Sequence, residues 1–122
     1  MNTKIYKAVH DLAERLMSAA EKDDNASFKK LYSRLEAICT EHDNTDKDHP
    51  VQWETLADFT EDLDQAMALY EKALLKAKAI NSKDFMSSIA FTIANIQLEH
   101  GQTQAAIASL RDAKTSANKI EE

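Results

Sequence analysis

Apolar residues recur at every third or fourth position along most of the chain, a spacing typical of amphipathic α-helices. In residues 3–21, for example, Val9, Leu12 and Leu16 fall on one side of a helical wheel, and charged residues fill the other side. Short polar segments interrupt this pattern. We therefore predict six helices, at about 3–21, 25–41, 50–59, 61–80, 83–100 and 103–120.

Single residues mark where some of these helices begin or end. Pro50 suits the first turn of the third helix, where its missing N–H leaves no hydrogen bond unmade. Thr60 is predicted to cap the N-terminus of the fourth helix. Gly101 is the only glycine, and it stands where a left-handed residue would end the fifth helix.

The apolar stripes also predict which side chains are buried. The fifth helix is apolar around about two-thirds of its circumference, so we expect it to be the most buried of the six. Trp53 and Cys39 lie on apolar stripes and are expected to be buried. Tyr6 lies at the edge of the stripe of the first helix and is expected to be exposed.

A small–large–small series of side chains occurs twice at a separation of 40 residues. Ala66, Tyr70 and Ala73 of the fourth helix are repeated as Ala106, Leu110 and Ala113 of the sixth. Small residues allow two helices to approach closely, and the large residue fills the space between them. The series therefore indicates a repeated helix hairpin.

The chain resembles the tetratricopeptide repeat family, in which a Leu-Ala pair, a turn glycine and an Ala-x3-Phe/Tyr-x2-Ala series mark each repeat. The positions that match this pattern best are Ile93, Ala94, Gly101, Ala106, Leu110 and Ala113. The resemblance implies an all-α fold with one domain over residues 1–122. Three antiparallel hairpins, at about 3–42, 50–80 and 83–120, would stack as a short right-handed solenoid.

In this family the first helices of the hairpins line a concave groove that holds a peptide or a helix. Projected onto this chain, the groove residues of the last two hairpins are Glu54, Asp58, Ser88, Phe91, Asn95, Leu98 and Glu99. Further positions are Lys7, His10, Glu14, Met17 and Val51. With an apolar floor beside acidic side chains, the groove should prefer a ligand with apolar anchors and flanking Lys or Arg.

The composition agrees with a helical protein and argues against one class of ligand, nucleic acids. The 122 residues include one Gly and one Pro, too few for the turns of a β-sandwich or a barrel. The net charge of −6 argues against nucleic acid as a ligand. The charge is uneven, since residues 43–71 contain nine acidic residues and only Lys47 as a cation, a net −8.

Few features indicate catalysis, a cofactor or a membrane. No two histidines have the i,i+4 spacing of a helical metal site, so we predict neither a metal nor another cofactor. Glu54 and Asp58 are expected on an exposed face, without the cleft that acid–base catalysis needs, and we predict no enzymatic activity. No apolar run reaches the ~18 residues of a membrane span. The single cysteine fits a reducing, cytoplasmic location.

Three functions are compatible with this pattern. The first is a small adaptor or chaperone that binds a segment of a partner protein in the groove. The second is an immunity-type or inhibitor protein that masks a basic partner with its acidic middle segment. The third is a structural subunit that forms a homodimer through the groove or the first helix.

Overall fold

The computed structural model describes residues 3–120, with the side chains through residue 115, and every regular element in that range is an α-helix. The helices are α1 Thr3–Glu21, α2 Asn25–His42, α3 Pro50–Asp58, α4 Leu63–Ala79, α5 Lys83–Glu99 and α6 Thr103–Ile120. The predicted all-α class is confirmed, and each predicted helix is present with ends that differ by at most about two residues.

The helix ends follow the local chemistry of their capping residues. Pro50 occupies the first turn of α3, preceded by the cap His49, whose Nδ1 accepts from the N–H of Val51 at 3.1 Å. Gly101 has a φ of +73°, the left-handed conformation expected after α5. The prediction for α4 is wrong, because Asp62 and not Thr60 is its cap.

Thr60 is diverted from the capping role by two other hydrogen bonds. Its Oγ1 donates to the carbonyl oxygen of Leu56 at 2.7 Å and lies 2.7 Å from the hydroxyl of Tyr32. Asp62 accepts from the N–H of Gln65 at 2.9 Å in its place. A carboxylate stabilises a helix N-terminus at least as well as a threonine hydroxyl.

Each helix packs against the next, and α3 also contacts α1 and α5. The first and last pairs are joined by only residues 22–24 and 100–102, and α3 and α4 by residues 59–62. Such short connections reverse the chain direction between packed helices. The shortest helix, α3, contacts four other helices, which places it at the centre of the structure.

The main hydrophobic core runs through α1 to α5, and α6 adds the buried Ala106 and Ala113 against α5. The distribution of buried residues corrects one prediction. Five of the nine residues of α3 are buried, against four of the seventeen of α5, so α3 and not α5 is the most buried helix. Within residues 3–120, one side of α5 has no helix packed on it. Trp53 is buried, with 3% of its surface exposed, and Cys39 is fully buried, as predicted. Tyr6 is exposed, also as predicted.

Candidate protein-interaction surface

The uncovered side of α5 consists of the residues that the repeat pattern assigns to the groove. They lie at helical spacing along one stripe, opposite the buried Ile89 and Ile93. Their side chains are exposed, and we call them the α5 stripe: Ser88, Phe91, Asn95, Leu98 and Glu99. Phe91 is 52% exposed and Leu98 is 47% exposed. The stripe therefore presents two large apolar side chains to solvent, next to polar ones.

The two predicted carboxylates of α3 lie one turn apart, and the structure differs from the exposed pair that the sequence predicts. Glu54 is half-buried, and this burial, together with the neighbouring Asp58, raises its pKa to about 7. Asp58 is exposed as a whole residue, but its Oδ1 accepts a 2.5 Å hydrogen bond from the hydroxyl of Tyr70. Desolvation of the Asp58 carboxyl raises its pKa, while the hydrogen bond from Tyr70 lowers it.

Because α3 and α5 pack against each other, the carboxylate pair and the α5 stripe lie on neighbouring helices. No hydrogen bond or ion pair connects them within residues 3–115. Of the positions predicted in the first hairpin, Met17 is exposed, and His10 lies 3.1 Å from the carboxylate of Glu14. The arrangement offers apolar anchors, amide and hydroxyl groups, and a glutamate that is only partly ionised near neutral pH.

Four charged side chains hold the 43–49 loop against α4, and we call this cluster the clasp: Asp43, Asp48, Lys72 and Lys76. The Lys76 ammonium lies 2.6 Å from Asp43 and 2.7 Å from Asp48, and Lys72 lies 2.9 Å from Asp43. The indole N–H of Trp53 donates to Asp48 at 2.8 Å, and Lys72 lies 4.0 Å from the centre of the indole ring.

The clasp shifts the titration of its own members. Hydrogen bonds from Lys76 and then Lys72 lower the pKa of Asp43. Burial alone would raise the pKa of Asp48, yet hydrogen bonds from Lys76, the N–H of Asn44 and Trp53 lower it. The fold therefore neutralises part of the acidic segment internally. The acidic residues of that segment left exposed to solvent are Asp46, Asp58, Glu61, Asp62, Asp64 and Glu71.

Sequence reasoning missed a cleft of about 750 Å³ between the first half of α2 and the connection from α3 to α4. Phe28, Tyr32 and Phe59 line it, with the rings of Phe28 and Phe59 in edge contact at 6.3 Å. These aromatic residues lie on apolar stripes, which predict core positions, but the structure leaves them half-buried. They are accessible because α2 and α4, both fully described, do not pack on each other, and this is a tertiary property.

Cys39, the only cysteine of the sequence, lies inside the fold. The Cys39 thiol donates to the carbonyl oxygen of Gln52 at 3.3 Å, and burial raises its pKa to about 12. Across the described part of the chain, no three His, Cys, Asp or Glu residues are grouped so that they could hold a metal ion. Within the same residues, no helix has both the length and the apolar character needed to cross a membrane.

Comparison with known proteins adds no relative. No protein-family model, no curated protein and no solved structure matches the chain. The tetratricopeptide resemblance, with its right-handed stack, therefore stays a prediction from the quoted residues. The function of the protein has to be inferred from its own surface.

Proposed function

We propose that this protein is a non-enzymatic binding module, an adaptor or chaperone of the cytoplasm, that holds a peptide or helix of a partner protein against α3 and α5. The observation that supports it best is the α5 stripe, where Phe91 and Leu98 stand half exposed although the same helix has a fully buried side. Exposed large apolar residues that lie together on one face are typical of binding surfaces. Partner binding would bury them.

The carboxylate pair on the neighbouring helix α3 indicates the chemistry of the partner segment. Glu54 and Asp58 favour Lys or Arg beside one or two apolar anchor residues. A cation placed near Glu54 stabilises its carboxylate form, which at pH below about 7 must first lose a proton. Binding of a basic segment should therefore release a proton and become tighter as the pH rises through 7.

The test begins with selection of peptides from a displayed random library on the immobilised protein. Selected peptides are then labelled and their Kd values measured by fluorescence anisotropy. We expect apolar anchors flanked by Lys or Arg, and binding about tenfold weaker for Phe91→Ala, the loss typical of removing one anchor. The double substitution Glu54→Lys/Asp58→Lys should weaken binding and abolish its pH dependence near 7, because the carboxyl that titrates there is gone.

Leu75→Ala is the matched control, because Leu75 is exposed on α4 and lies outside the α5 stripe. Peptides that bind all of these variants as tightly as they bind the parent protein would exclude α3 and α5 as the site. Peptides that lose affinity equally for Leu75→Ala would show general apolar adhesion.

The two other functions suggested by the sequence make different predictions for the intact protein. An inhibitor that masks a basic partner would use the exposed acids Glu61, Asp62 and Asp64, and its complex would dissociate in high salt. A homodimer would bury Phe91 and Leu98 against a second copy. Light scattering would then give twice the monomer mass, and Phe91→Ala would return it to that of the monomer.

A further inference from the structure

The first hairpin contains a groove whose charge is opposite to that of the whole protein. It has a volume of about 360 Å³ and is lined by the second half of α1, the residue 22–24 connection and residues 27–34 of α2. Four cations line it: Arg15, Lys22, Lys30 and Arg34. Asp24 is the single acidic lining residue, so the lining has a net charge of +3 in a chain with a net charge of −6.

Helical spacing places these cations in two facing rows. Arg15 and Lys22 are seven residues apart on α1 and its C-terminal extension, and Lys30 and Arg34 are four residues apart on α2. Residues at such spacings share one face of a helix. Between the rows, the buried Ala19 and the half-buried Leu31 form an apolar floor.

Within residues 3–115, the protein supplies almost no counter-charge to this groove. Arg15 pairs with Asp11 at 3.1 Å, and Lys22, Lys30 and Arg34 form no ion pair in that range. Asp24 is already engaged, since its Oδ1 accepts from the N–H of Ser27 as the cap of α2. Hydrogen bonds from the side chain and then the N–H of Ser27 lower the pKa of Asp24, and the charge of Lys22 lowers it further.

The lysines of the clasp show that this protein can pair its cations where they support the fold. Lys72 and Lys76 lie within 3 Å of aspartates. In the groove, Lys22, Lys30 and Arg34 have no such partner within residues 3–115, and like charges gathered around one groove repel. Such repulsion favours the binding of an anion over an empty groove.

We propose that this groove binds an extended acidic segment of a partner polypeptide. Lys30 and Arg34 are about 6 Å apart along the helix axis. Acidic side chains at alternate positions of an extended peptide are ~6.7 Å apart and project to one side. Arg34, which forms no ion pair within residues 3–115, can receive a carboxylate through paired N–H donors. An apolar residue of the segment would lie on Leu31 and Ala19.

The probe is a fluorescein-labelled peptide, Glu-Ser-Glu-Ser-Leu-Ser-Glu, in which the acidic and the apolar side chains project to the same side, and its binding to the full chain is followed by anisotropy. We expect saturable binding that weakens at least about tenfold when salt rises from ~50 to ~300 mM. The variant Lys30→Glu/Arg34→Glu should lose at least about tenfold in affinity, since two charge-assisted hydrogen-bonding groups become repulsive. The conservative variant Lys30→Arg/Arg34→Lys should retain most of it. Far-UV circular dichroism verifies that each variant is folded.

The matched control is Lys78→Glu/Lys114→Glu, which changes the net charge equally at exposed positions on α4 and α6. An equal loss of affinity in this control would overturn the proposal, because attraction would then come from the charge of the whole molecule. A probe with Gln in place of Glu should not bind. Equal binding of that probe, complete displacement by millimolar inorganic phosphate, or equal affinity for single-stranded DNA would each refute a site for acidic peptides.

Discussion

Replacing Glu54 by glutamine should stabilise the protein, and the gain should depend on pH. Glutamine has nearly the same shape as glutamate and no charge, so the substitution removes the carboxylate that burial and Asp58 disfavour. Glu54 is half-buried on α3, the most central helix, so the substitution acts inside the packed structure. Its effect therefore measures the cost of ionising this side chain in the fold.

The pKa of Glu54 sets both the sign and the size of the effect. In the folded protein this pKa is raised from its ordinary value of 4.5 to about 7. The folded state therefore keeps a proton that the unfolded state releases, and the parent protein loses stability as the pH rises from about 4.5 to 7. At ~1.4 kcal/mol per pKa unit the loss is at most about 3.5 kcal/mol, and solvent screening of a half-buried group reduces it to about 1–3 kcal/mol.

Urea denaturation followed by circular dichroism gives the free energy of unfolding of both proteins by linear extrapolation. We expect the free energy of unfolding of Glu54→Gln to exceed that of the parent by about 1–3 kcal/mol at about pH 8. At about pH 4.5 the two free energies should differ by less than about 0.5 kcal/mol. Glu71→Gln is the matched control, because Glu71 is exposed on α4. A gain that is equal at both pH values, or no larger than the gain of the control, would refute the explanation from burial.

Three further substitutions or reagents test the packing and the clasp. Ala106 is fully buried between α5 and α6, so Ala106→Leu should lower the free energy of unfolding by about 1–3 kcal/mol through overpacking. An unchanged thermal midpoint would contradict the packing of α6. Asp48→Asn should cost about 1–3 kcal/mol in urea denaturation near pH 7, because Lys76 loses a buried partner, whereas Asp46→Asn should cost nothing measurable. The Asp48 difference should shrink as acid protonates this residue, whose pKa lies below its ordinary value. Cys39 should react with a thiol reagent only in urea, since burial raises its pKa to about 12; rapid labelling of the native protein would contradict its burial.

Local sequence patterns were sufficient for the helices and for several buried residues. The period of about 3.6 residues is a property of each segment alone, so it predicted all six helices and the burial of Trp53. The same pattern overstated the burial of α5. An apolar stripe shows which side of a helix can be buried, but whether another helix covers that side depends on the number of neighbours.

The electrostatic surroundings of the candidate site were beyond sequence reasoning for a related physical reason. The acidic segment, residues 43–71, ends just before Lys72 and Lys76, which pair with its Asp43 and Asp48. A count of charges along the chain therefore assigns these paired residues to different segments. The i,i+4 spacing of these lysines was the one available signal. Nor could spacing alone reveal that Glu54 is half-buried, because this depends on how α3 packs among its four neighbouring helices.

The clasp has a practical consequence for anyone who wants to attach a reporter to this protein. Residues 43–49 are the longest connection in the described chain and have the composition of a linker, which makes them the obvious place for an inserted tag or fluorescent domain. However, Asp43 and Asp48 must both reach Lys76, so an insertion between them would detach the loop from α4. The exposed connection at 100–102 is the better position, because its side chains form no ion pair within residues 3–115. In this protein, the length of a loop is a poor guide to its tolerance of inserted sequence.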